Sequence, residues 1–61
     1  MNSERNIEQE VKDVCHQRGL RREHIECGVG YARDYYEHSR CFSISVRHGV
    51  ELAENLERVN R

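Results

Sequence analysis

The spacing of apolar residues changes twice along these 61 residues, and this restricts the folds open to the chain more than any other feature. In the first stretch Ile7, Val11, Val14 and Cys15 recur at helical intervals, while Glu8, Glu10, Lys12, Asp13 and Gln17 take the opposite side. The pattern predicts a helix capped by Ser3 or by Asn6, the latter three residues before Gln9 as in a capping box. Gly19 suits the left-handed residue that stops a helix, with Leu20 folding back onto Cys15 in the contact of a Schellman motif. The helix is therefore expected to end near Arg18.

Between His24 and His48 the period shortens to two. Ile25, Cys27, Val29 and Tyr31 alternate with Glu26, Gly28, Gly30 and Ala32, and later Phe42, Ile44 and Val46 alternate with Ser43, Ser45 and Arg47. Two strands are expected, turning around Glu37, His38 and Ser39. From Val50 the helical spacing returns, with Leu52, Ala53, Leu56 and Val59 on one side and Glu51, Glu54, Glu57 and Arg58 on the other. Gly49 serves as the break or N-cap, and the glutamate row reads as a solvated face. The order is α-β-β-α. It predicts one α+β domain over residues 1–61, with two helices packed on one face of an antiparallel hairpin.

The other face of that hairpin is bare, because Gly28, Gly30 and Ala32 meet Ser43 and Ser45 where a wet sheet surface usually carries longer polar side chains. Glycine inside a strand costs conformational entropy, so the pair marks either close approach by another surface or a bulge that relieves crowding from Tyr31 and Tyr35. A core this short is thin, and a two-stranded sheet is marginal and leaves two open edges. A homodimer that completes a four-stranded sheet answers both problems.

Ten Lys and Arg against eleven Asp and Glu leave a formal charge of −1, which provides no bulk basic field for nucleic acid or anionic lipid. No stretch approaches the ~20 apolar residues of a membrane span, and the opening MNSERNIEQE has no secretory pattern, so a cytoplasmic protein is expected. The initial Met and the lack of a tag read as a complete small gene product. Cys15, Cys27 and Cys41 are odd in number and widely spread, which fits reduced thiols better than a disulfide scaffold.

No phosphate loop, dinucleotide fingerprint, metalloprotease helix or nucleophile elbow is present. Cys15 and His16 are adjacent on a helix and point about 100° apart, and clefts of about 300 Å³ are hard to build in so short a chain. The expectation is a protein without catalytic residues, cofactor or enzymatic activity.

Three constellations remain for binding. The leading one places Arg33, Tyr35, Tyr36 and Arg40 at the hairpin tip, with Gly28, Gly30, Ser43 and Ser45 on the smooth face. Tyr and Arg concentrate binding energy, so this predicts a protein-binding module in an inhibitor, adaptor or regulatory role, acting as a homodimer. The alternative is a nucleic-acid-binding regulator using Arg18, Arg21, Arg22, Arg40 and Arg47 with interleaved tyrosines, weighed against arginines that merely pair with neighbouring acids. The third is a zinc-stabilised module in which His24, Cys27, His38 and Cys41 form two His-x2-Cys steps. Residues three apart in a strand point to opposite faces, and Cys27 alternates with core residues; both facts count against the metal.

Overall fold

The computed structural model describes residues 6–59, whose regular elements are all helices: α1 (Ile7–Gln17), α2 (Arg22–Ser39) and α3 (Phe42–Val59). The first helix forms as its spacing predicts. Asn6 Oδ1 accepts from the backbone N–H groups of Glu8 at 2.9 Å and Gln9 at 3.4 Å. The Gln9 amide does not return to Asn6; it donates to Asp13 at 2.9 Å, so the cap is one-sided. Ser3, the other predicted cap, lies outside the described residues. At the far end Gly19 sits at φ 73°, Leu20 N–H donates to Cys15 O and Gly19 N–H to His16 O, each at 3.1 Å. These two bonds complete the Schellman stop.

The α+β reading is overturned, because both predicted strands lie inside 18-residue helices and no strand occurs among the described residues. The four-stranded sheet proposed for a dimer, its open edges and its bare face fall with it. The error has one physical source. Counting glycine, alanine and serine as outward residues produces an alternation of two, whereas counting them as interior residues produces a helix. On α2 the buried set is His24, Ile25, Gly28, Val29 and Ala32, the last four spaced i, i+3, i+4, i+7, and on α3 it is Ser45, Gly49, Val50 and Ala53, spaced i, i+4, i+5, i+8. Helix α3 therefore runs straight through Gly49, and the turn falls at Arg40 and Cys41 instead of Glu37 to Ser39.

Helices α2 and α3 form an antiparallel pair whose backbones cross at Gly28 and Gly49. A Cβ on Gly49 would lie 2.6 Å from Gly28 O and 2.8 Å from the Ala32 methyl group, and one on Gly28 would press still closer on Gly49 O. Each carbonyl thus occupies the space in front of the other Cα, an approach open to glycine alone. Around this crossing lies a core of Val11, Cys15, Ile25, Val29, Ala32, Val50 and Ala53, edged by Ile7, Val14, Leu20 and Val46. Helix α1 covers one side of the pair, and the Cα trace is 14 Å deep in its thinnest direction.

Side chains tie both ends of the pair. At the turn, Arg40 takes a left-handed conformation at φ 59° and its N–H donates to Tyr36 O at 2.8 Å. Cys41 N–H donates to Ser39 Oγ at 3.2 Å, and the buried Ser45 hydroxyl donates to Cys41 O at 2.7 Å. At the open end Arg21, the N-cap of α2, offers no side-chain acceptor. Glu57 from the last turns of α3 replaces it, accepting Arg21 N–H at 3.2 Å and His24 Nδ1–H at 2.7 Å. A carboxylate at a helix N-terminus also meets the positive end of the helix dipole.

Candidate interaction face

Two helices joined by a short turn must lay their apolar stripes against each other, and α1 is long enough to cover only one side of the layer they make. On the side away from α1, helical spacing brings Cys27, Tyr31 and Tyr35 of α2 beside Ile44, His48 and Leu52 of α3. The rings confirm that these rows meet. Tyr35 stacks on His48 with centroids 4.5 Å apart and planes at 29°, and Tyr31 meets His48 edge-on at 6.3 Å. Tyr31 and Ile44 remain 44% and 43% exposed, high for large apolar side chains. Glu23 stands one turn before Cys27, Asp34 one turn after Tyr31 and Glu51 one turn after His48, so helical spacing carries acidic residues into both rows.

The residues predicted for partner binding do not gather into one site. Tyr35 lies on the face just described. Gly28 and Ser45 are buried between α2 and α3, which removes them from any docking surface. The close approach expected of the glycines does occur at Gly28, but its partner is α3 of the same chain. Gly30, Arg33 and Tyr36 border a groove of about 470 Å³ with Ile7, Asp34 and Glu37. Tyr36 spends its ring edge-on against Phe42 at 6.0 Å. Ser43 lines a different groove, between α1 and α3, and Arg40 occupies the turn. A hairpin tip that displays Arg33 to Tyr36 does not exist, since these residues lie in the body of α2.

The arginines of the nucleic-acid alternative are interleaved with acids. Arg18 pairs with Glu54, Arg21 with Glu57 at 3.4 Å, Arg22 with Glu26 at 3.6 Å and Arg47 with Glu51 at 3.7 Å. Arg40 sits at the opposite end of α2 from Arg21 and Arg22, about 27 Å away at 1.5 Å per residue. The glutamate row is likewise not a uniform solvated face, because Glu54 and Glu57 reach across to other elements.

The four His and Cys residues of the zinc alternative are held apart. His24 and His38 are fourteen positions apart on one helix, about 21 Å. His24 is buried against Glu57, and His38 Nδ1–H donates to Asp34 O at 2.9 Å. Among the described residues no group of three or more His, Cys, Asp and Glu side chains is placed to hold a metal ion.

Titration follows the same geometry. The His24 hydrogen bond, and after it the Arg21 N–H, hold the Glu57 carboxyl below its ordinary value. Burial, with the Glu54 carboxylate adding to it, pushes the Cys15 thiol up, so Cys15 acts as a small apolar core residue while the neighbouring His16 is exposed.

The aromatic face was missed at sequence level because His48 reads as a surface residue at the end of a strand and Tyr31 as part of a sheet core. Had α2 and α3 been recognised as helices, the spacing Cys27, Tyr31, Tyr35 and Ile44, His48, Leu52 would have disclosed a second apolar stripe. No helix among the described residues is long and apolar enough to cross a membrane. Comparison of the chain with models of protein families, with curated proteins and with solved structures finds no match in any of the three.

Proposed function

We propose that this chain is a non-catalytic interaction module that works by seating another polypeptide on the face formed by Tyr31, Tyr35, Ile44, His48 and Leu52. The observation that carries the reading is the group of Tyr31, Tyr35 and His48 rings, with Tyr31 and Ile44 still 44% and 43% exposed, on the side of the α2–α3 layer that α1 leaves uncovered. Burying rigid rings costs little side-chain entropy, and tyrosine is enriched among the residues that carry protein contacts. An inhibitor, adaptor or regulatory role is compatible with such a surface.

A photoreactive phenylalanine analogue placed at Tyr31, or at Arg58 on the outer side of α3, tests the reading in the native cell. Crosslinks to protein are expected from position 31 well above those from position 58. Equal yields at the two positions would remove the proposed face.

A further inference from the structure

The uncovered face differs in charge from the chain as a whole. Lys and Arg nearly balance Asp and Glu over the full sequence, yet the α2 row of Glu23, Cys27, Tyr31, Asp34, Tyr35 and His38 holds two carboxylates and no Lys or Arg. Both carboxylates are nearly free: Asp34 has no salt bridge among the described residues, and Glu23 meets only His24 Nε2, at 4.0 Å. Arg33 borders a groove that also holds Asp34 and Glu37, so acid exceeds base on that edge as well. On α3, Glu51 shares its charge with Arg47 at 3.7 Å, and Arg58 lines a groove with Arg18 and Leu20 next to the end of α1. Within the face the Tyr31 ring is tilted by 52° to Tyr35 and edge-on to His48, each at 6.3 Å. The face of a tyrosine ring attracts a cation within about 6 Å of its centroid, and a carboxylate one helical turn away adds to that attraction.

We infer that the polypeptide seated on this face is an amphipathic helix that carries lysine or arginine beside its apolar side chains. The inference rests on the reading of the face as an interaction surface and names the chemistry of its partner. The helical form follows from α1, which covers the opposite side of the α2–α3 layer by laying Ile7, Val11, Val14 and Cys15 over both helices. A second helix fits the other side in the same way, with aliphatic side chains against Ile44 and Leu52 and a cation over the Tyr31 ring, one turn from Asp34. A partner with carboxylates at those places would set like charges against Glu23 and Asp34. The same two acids repel phosphate, which sets nucleic acid and anionic lipid aside as occupants.

Fluorescence anisotropy with the full chain and two labelled synthetic helices tests the proposal. One helix places leucine and lysine in helical period, and the other has glutamate for each lysine. The lysine helix is expected to bind at least about tenfold tighter, and the difference should shrink as salt is added. Asp34→Asn combined with Glu23→Gln, which keeps side-chain size, should weaken the lysine helix about fivefold without weakening the glutamate helix. Tyr31→Ala should weaken the lysine helix about tenfold, while Glu10→Gln on α1 leaves it unchanged. Far-UV circular dichroism identifies the variants that fold. Equal binding of the two helices overturns the proposal, as does an affinity for the lysine helix that the double variant leaves intact. So does tighter binding of duplex DNA than of the lysine helix, or binding of neither helix. If position 31 still crosslinks to protein in the cell after any of these results, the basic helix alone falls and the interaction face stands; equal crosslinking from positions 31 and 58 removes both.

Discussion

At position 28 one methyl group decides whether α2 and α3 can meet. Alanine is favoured over glycine in a helix by about 1 kcal/mol, so on propensity alone every Gly→Ala exchange in α2 would stabilise the chain. Gly30, exposed with nothing within 4 Å of a Cβ, should follow that rule, and Gly30→Ala is expected to raise the melting temperature by roughly 4–8 °C, about 1 kcal/mol. Gly28→Ala should do the opposite. Its methyl group would collide with the Gly49 carbonyl, which is backbone and cannot swing aside, so a net loss of about 1–3 kcal/mol is expected. Thermal melting of the two variants side by side checks the sign, and equal shifts would contradict the crossing. Arg40 offers a third single-residue test, since a side chain at φ 59° is strained where glycine is not. Arg40→Gly is expected to stabilise by about 0.5–1 kcal/mol in a urea titration with an unchanged m-value.

Side-chain contacts at the helix ends add to the core that holds the helices to one another. Glu57 joins the last turns of α3 to the first turn of α2 through Arg21 and His24. Because the folded state holds this carboxyl below its ordinary value of 4.5, the stabilisation is complete above that pH and is lost as pH falls through the lowered folded value. Glu57→Gln should therefore be less stable than the parent at neutral pH, and the gap should close in acid. Melting curves recorded from pH 7 down to pH 2 measure it; a gap that persists undiminished at pH 2 would refute the linkage. The first helix was legible in the chain because Val11 and Cys15 are apolar, its cap is Asn6 and its stop is Gly19. The other two were hidden, since their interiors are lined with Gly28, Ala32, Ser45, Gly49 and Ala53. Residues that small carry little hydropathy signal, and period two and period 3.6 fit the remaining large residues about equally well. The absence of proline from the whole chain, and of an Asn-Gly turn between the supposed strands, were the signals that favoured helices.

For the molecule as a whole, the described residues close around a core of seven buried apolar side chains with no aromatic ring among them, while Tyr31 and Ile44 stay 44% and 43% exposed. The candidate site was legible only in part: Tyr35 was named from residue type, but its neighbours Tyr31 and His48 come into register only across two helices.

What the amino-acid order determined unaided was local. It specified where α1 stops, Asn6 as one of two caps at its start, and the lack of a basic field, because capping and charge act over a few residues or over none. Tertiary structure decided which small residues count as interior. A glycine has no side chain with which to declare its environment, and Gly28 becomes a core position only when the backbone at Gly49 arrives to fill the space before it.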